Sequence, residues 1–359
     1  MKKTFVLLIT LVLLSCSSDN SSPEPETQLT SEINEELRGA DMSFLPLIES
    51  NGTQYKHNGQ IQDALVTLKN AGCNVIRIRL WHNPIDVNSS MAQVKALAQR
   101  VKQNNMKVWL TVHYSDTWAD PGNQAKPAAW QNLSFSDLKN AISTYTAQIM
   151  DEINPDIIQI GNETNDGMLW PEGKLSTNES QYIQLITSAI QMVRSKSSTT
   201  KIMLHYAGTS GSDWYFSKVA SMDFDYIGLS YYPIWHGKSL VDLQNTMNSL
   251  GATYNKKVVI AETSYPFTLG YNDYTNNVVG QSDQLIPAYQ ATETGQKDYL
   301  SAIRNTINQS THGIGFCYWG SEWVAFRGPT STNGSTWENQ ALWDFNTNSL
   351  PVLEIFNNN

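Results

Sequence analysis

Two glutamates stand at the ends of short apolar runs, Glu163 in DIIQIGNET (156–164) and Glu262 in KVVIAETSY (257–265). Runs of this length and β-branched content form buried strands, and a polar residue that ends one emerges where strand gives way to loop. Alone, either glutamate reads more readily as a salt-bridge partner or a helix cap. Together, on one rim, they make the pair that hydrolyses a glycosidic bond: an acid to protonate the leaving oxygen and a second carboxylate to attack the sugar carbon. Asn162, just before Glu163, adds a side-chain amide able to hold a sugar 2-hydroxyl, a contact that strengthens as the ring flattens in the transition state.

The elements that must position this pair alternate along the chain. Strand-like runs occur near LRGADMSF, NVIRIRLW, KVWLTVHY, DIIQIGNE, KIMLHY, DYIGLSYY, KVVIAET and GIGFCYW, separated by amphipathic segments such as IQDALVTLKNAG (61–72) and MAQVKALAQRVKQNN (91–105). Each of these segments ends in Gly or Asn, as a helix C-terminus does. This alternation predicts a (β/α)8 barrel, an α/β fold whose active sites form at the C-terminal rim of the strands. Long loops follow strands 3, 4, 7 and 8, and loops of that length in a compact domain are usually functional. The flat faces of Trp118, Trp170, Trp319, Trp323 and Trp337 fall on or near them and suit the apolar C–H face of a pyranose; loop packing is the alternative reading.

The 359 residues are 40% hydrophobic and 16% charged, which supports one large core and excludes a disordered chain. A net charge of -9 argues against nucleic acid or an anionic membrane surface as partner and favours a neutral ligand. MKKTFVLLITLVLLSCSS opens with two lysines and an apolar stretch too short to span a bilayer, then LLSC. It resembles a bacterial lipoprotein signal. The expected organisation is a signal peptide at 1–15, a lipidated Cys16 and polar tether at 16–36, and one catalytic domain at 37–359, on a lipid-anchored protein of the cell envelope, periplasmic or at the outer-membrane surface. Membrane attachment is expected through Cys16 only. Cys73, before strand 2, and Cys317, within strand 8, go with strands that are not barrel neighbours and are expected as two separate buried thiols.

The segments RGADMSFLP, RIRLWHNP, HYSDTWADPGNQAKPAAW, IGNETNDGMLWP, ETSYPFT and STWENQALWDF resemble glycoside hydrolase family 53, the endo-β-1,4-galactanases, over about residues 37 to 356. The strand 4 and strand 7 motifs alone point only to its wider clan of retaining (β/α)8 glycosidases. HYSDTWADPG is far more specific. The resemblance implies Glu163 as general acid/base and Glu262 as ionised nucleophile, acting on β-1,4-galactan as a monomer without an organic cofactor. Arg77 and Arg79 share one face of strand 2, and Arg79, nearer the rim, is the one expected to keep Glu262 charged; a structural ion pair is the other reading of both. Tyr232 resembles the clan tyrosine that donates to the nucleophile, and is otherwise a core aromatic. His113 and His205 are expected either near the sugar or as buried, hydrogen-bonded rings. Trp319 is the expected floor beneath the reacting sugar, with Trp118 next.

Bacterial members of that family hold calcium between the loops after strands 7 and 8. Here Asp273, Thr275, Asn277, Ser335 and Glu338 offer the hard oxygens it prefers. The family's Asp-Gly-His-Gly-Asn reads Asp-Tyr-Thr-Asn-Asn, so the central ligand would be a backbone carbonyl, and a polar turn without metal is the alternative. No HExxH motif or paired histidine spacing supports a catalytic zinc. Two other functions remain open at this level: another β-glycanase of the clan (mannanase, xylanase or glucanase), and a non-catalytic surface lipoprotein that binds glycan.

Overall fold

The computed structural model describes Met1 and residues 36–357; the expected signal peptide, Cys16 and tether lie outside the described residues. Eight parallel strands close into a barrel: β1 (Leu37–Asp41), β2 (Val75–Leu80), β3 (Lys107–Val112), β4 (Ile157–Ile160), β5 (Lys201–Ala207), β6 (Tyr226–Ser230), β7 (Lys257–Thr263) and β8 (Gly313–Tyr318). Each coincides with a run read from the sequence. The strands are buried almost throughout, which is why they read as continuous apolar stretches rather than as alternation.

Helices α1 (Ala64–Ala71), α2 (Met91–Gln103), α3 (Phe135–Glu152), α4 (Leu175–Lys196), α5 (Ser212–Val219), α6 (Leu240–Tyr254) and α7 (Glu293–Gln309) return the chain between strands. Their ends follow from local chemistry. Asp63 accepts from the Leu65 and Val66 amides at the start of α1, and Gly72 takes the left-handed conformation that ends it. Ser134 and Thr292 cap α3 and α7 in the same way. Among the described residues after β8, a 3₁₀ segment, Pro351–Phe356, packs in the position of a closing helix and buries Val352, Leu353 and Phe356. A two-residue hairpin ladder, Lys56–His57 with Gln60–Ile61, was not apparent from the sequence.

The inward face of each strand changes character along its length. At the N-terminal end Leu37, Val75, Trp109, Ile157, Met203 and Val259 fill the barrel as an apolar plug. Two residues further on, the same faces present Arg77, Thr111, Gln159 and His205, and β1 ends there in Asp41. The plug thus seals the floor beneath a polar layer at the rim. Cys73 and Cys317 are both buried and unpaired.

One irregularity in the sheet sets the site. Between β6 and β7 the register runs from Leu229 opposite Ile260 to Ser230 opposite Glu262, and on the β8 side from Phe316 opposite Ile260 to Tyr318 opposite Thr263. One extra residue of β7 is therefore inserted near Ala261. Val259 and Ala261 belong to the plug, so strict alternation would turn Glu262 outward; the bulge resets the phase and turns it in.

Candidate active site

Glu163 and Glu262 face one another across the rim, with a carboxylate oxygen of each and a ring nitrogen of His205 all within 4.8 Å of one another. Their surroundings differ. Glu262 accepts from Arg77 Nη2 at 2.6 Å on Oε1 and from the Tyr232 hydroxyl at 2.9 Å on Oε2. Glu163 accepts from the Ser230 hydroxyl at 2.6 Å. Burial pushes both carboxyls up. For Glu262 the Arg77 guanidinium and the Tyr232 hydroxyl oppose that push. For Glu163 the negative charge of Glu262 adds to it, against weaker help from Ser230 and Arg77, and the group rises to about 8. Asp41 adds to the rise of Glu262, yet with the Arg77 charge on it Glu262 is the more easily ionised of the pair, and Glu163 the one that holds its proton longer.

Arg77 ties the site together. Its Nη1 donates to Asp41 Oδ2 at 2.8 Å, while Nη2 also reaches Asn162 Oδ1 at 2.9 Å. Burial alone would lower its pKa, yet Glu262 and Asp41 more than reverse this and keep it charged. The expectation for the two arginines is thus inverted. Arg79 stands one layer higher, where among the described residues no carboxylate forms an ion pair with it; its guanidinium carbon lies 4.4 Å from the Phe44 ring centre, 4.4 Å from Trp81 and 4.1 Å from Trp118. Its Nε donates to Ser89 Oγ at 3.0 Å, and burial lowers its pKa to about 10. Arg79 holds rim aromatics in place by cation–π contact and does not touch Glu262.

Asn162 Nδ2 donates to Ala119 O at 2.8 Å, which leaves its second hydrogen for a ligand. His113 accepts the Ala119 amide on Nδ1 at 3.0 Å and, like His205, is held neutral chiefly by burial, with nearby arginines adding to the effect. His205 bridges Gln159 and Ser230 at 2.9 Å each. With both ring nitrogens engaged, the Glu163, His205 and Glu262 trio is no open metal site. Gln124, from the loop after β3, donates to the carbonyls of Asn162 (2.8 Å) and Glu163 (3.2 Å), and so grips the backbone where Glu163 takes a left-handed φ of +46°. Asp41, Gln159, Ser230 and Gln124 were not picked out from the sequence. For the first three, inward alternation on their strands was the available signal.

Trp319 is half-buried at the centre of the rim aromatics, with ring centres 6.2 Å from Trp118, 5.8 Å from Trp323 and 4.7 Å from Trp337. Trp337 is buried and donates to Ser264 Oγ, and Trp323 stacks on Phe44 at 4.1 Å. Trp170 instead packs under Lys174 and donates to Asp166 O. Trp235 is 56% exposed beside Tyr232 and Trp337 and was missed, because the loop after β6 is short and carries no motif.

Between the loops after β7 and β8, Asp273 Oδ2, Asn277 Oδ1 and Glu338 Oε2 are buried acceptors without a hydrogen-bond partner. A Cβ on Gly334 would stand 2.2 Å from Asp273 Oδ2, so only glycine leaves that oxygen open. Burial, with Asp273 contributing, raises the Glu338 carboxyl to about 7. Three orphaned oxygens, two from acids, fit a hard cation such as calcium. The hydroxyls of Thr275 and Ser335, expected among the ligands, are committed elsewhere: Thr275 Oγ1 accepts from Gly334 N, and Ser335 Oγ donates to Trp323 O.

The sequence model of glycosyl hydrolase family 53 matches residues 37–356. An arabinogalactan endo-β-1,4-galactanase of Cellvibrio japonicus is 34% identical over 338 residues, which are 89% of this chain and 89% of that protein. An endo-β-1,4-galactanase of Bacillus subtilis is 32% identical, over 89% of this chain and 85% of its own. Among solved structures, the family 53 catalytic domain of Ignisphaera aggregans superposes with a TM-score of 0.84 at 35% identity, covering 91% of this chain and 97% of that one.

Proposed function

The chain belongs to glycosyl hydrolase family 53, and from that premise we propose that it is an endo-acting β-1,4-galactanase that works with retention of anomeric configuration. Glu262 attacks the anomeric carbon while Glu163 protonates the leaving oxygen; Glu163 then takes a proton from the water that releases the sugar. The observation that carries this reading is the separation of the two carboxylates. Retaining enzymes hold them about 5 to 5.5 Å apart, whereas inverting ones leave about 6.5 to 9.5 Å for a water. One oxygen of each carboxylate lies within 4.8 Å of the other, which supports the shorter spacing. The division of charge supports the same roles, since the nucleophile must be ionised and the acid must keep its proton at neutral pH.

In this reading the free hydrogen of Asn162 meets the sugar 2-hydroxyl, and Trp319 with Trp118 forms the aromatic ground for the ring. Calcium, where bound, would be held by Asp273, Asn277 and Glu338 and would tie the loops after β7 and β8; no chemical step depends on it. Lipidation at Cys16, and with it a place on the cell envelope, rests on the leader motif alone. The test is hydrolysis of linear β-1,4-galactan beside mannan, xylan and β-glucan, with the first-formed anomer read by NMR. Galactan oligosaccharides released as β-anomers are expected. Preference for another glycan would overturn the substrate, and α-anomers would overturn retention.

A further inference from the structure

We propose that Ser230 is a positioning residue for Glu163: through a one-way hydrogen-bond chain, Gln159 to His205 to Ser230 to Glu163, it makes Oε1 an acceptor and leaves the acid's proton on Oε2. The inference rests on the reading of Glu163 as the general acid.

Each direction in the chain is fixed by a group that can only donate. The Arg77 Nε, at 3.4 Å from Gln159 Oε1, identifies that atom as the amide oxygen, and the Thr111 hydroxyl at 3.2 Å agrees. Gln159 Nε2 is then the donor to His205 Nδ1 at 2.9 Å. The backbone N–H of Glu163 meets the same Nδ1 at 3.3 Å and cannot be reversed. Two donors on one nitrogen of a neutral imidazole place the ring hydrogen on Nε2. Nε2 therefore donates to Ser230 Oγ at 2.9 Å, and the serine's single hydrogen goes to Glu163 Oε1 at 2.6 Å. Ser230 and His205 are fully buried, so water does not supply a competing donor.

The chain has a second anchor. Glu163 holds a left-handed backbone, and its amide is tied to the same imidazole that orients Ser230. Main chain and carboxyl of the acid are thus fixed from one ring. The charged and titratable groups facing Glu163 are Glu262 from β7, Arg77 from β2, Asp120 from the loop after β3, Tyr232 just after β6 and the neutral His205 ring from β5. Ser230 is a neutral donor among them and stabilises the ionised form.

The test compares Ser230→Ala, Ser230→Cys and Glu163→Ala on galactan and on a dinitrophenyl β-galactobioside, whose leaving group needs no proton. Glu163→Ala should abolish galactan cleavage while still releasing dinitrophenol. Ser230→Ala should lower kcat/KM on galactan about tenfold to a hundredfold, far less on the aryl substrate, and move the alkaline limb of the pH profile up by about one unit. Ser230→Cys, nearly isosteric with a weaker donor, should fall between and guards against a folding defect in the alanine variant. Equal losses on both substrates with an unmoved limb would show a merely structural role and overturn the proposal. If Glu163→Ala shows no leaving-group dependence, the assignment of the acid itself fails, and this inference with it.

Discussion

Glu163 and Glu262 are the same residue type facing one another across one rim, and their partners alone separate them. Glu262 receives a guanidinium and a phenol; Glu163 receives one serine hydroxyl and the repulsion of its neighbour. As a group raised from 4.5 to about 8, Glu163 keeps its proton in the folded chain across a range where the unfolded chain has lost it. Its contribution to stability is therefore full below about 4.5 and is lost as pH rises through about 8. Two outcomes follow from one titration. kcat/KM should fall as pH rises through about 8, and Glu163→Gln, inactive on galactan, should melt at a higher temperature than the wild type at pH 9 but not at pH 4. A pH-independent difference in melting temperature would contradict the raised pKa. The glutamates were legible from the sequence because each ends an apolar run. Which arginine serves them was not: Arg77 and Arg79 share a face, and only the pairing of Arg77 with Asp41 across the β1–β2 register decides between them.

At the scale of elements, all eight strands and the helices α1 and α2 were readable, since burial and capping leave local marks. The bulge in β7 was not, because a single added residue does not disturb an apolar run, yet it decides which way Glu262 points. The loops were readable as functional but not in detail. Asp273, Asn277 and Glu338 were singled out as candidate ligands from their chemistry, whereas the commitment of the Thr275 and Ser335 hydroxyls depends on neighbours 59 and 12 positions away. Three buried acceptors without donors are costly unless a cation meets them. Millimolar calcium should accordingly raise the melting temperature of the wild type by several degrees, as a ligand at about 100 times its Kd adds about 2.7 kcal/mol. EGTA should reverse the shift, and Glu338→Gln or Asp273→Asn should lose it. A wild type whose melting curve is indifferent to both additions would leave these oxygens to water.

At the scale of the molecule, the barrel exists only if β8 returns to β1, and the chain meets this demand with small residues at the seam. Leu37 pairs with Gly315, and Gly39 with Cys317. A Cβ on Gly315 would lie 2.1 Å from the Leu37 carbonyl oxygen, and φ there is +151°, outside the range side chains favour. The contact is with backbone, so no rotamer change relieves it. The outer side of β8 is also packed: Phe316 meets Phe356 of the 3₁₀ segment with ring centres 5.4 Å apart. Gly315→Ala should therefore destabilise the protein by more than about 2 kcal/mol, from overpacking and backbone strain together. Gly52→Ala is the control: its φ is +87°, but nothing stands within 4 Å of the added Cβ, so only the conformational cost, about 1 kcal/mol, should appear. Denaturation midpoints of the two variants would separate the terms. Equal losses would mean that the seam yields and that barrel closure does not depend on a bare backbone at this position.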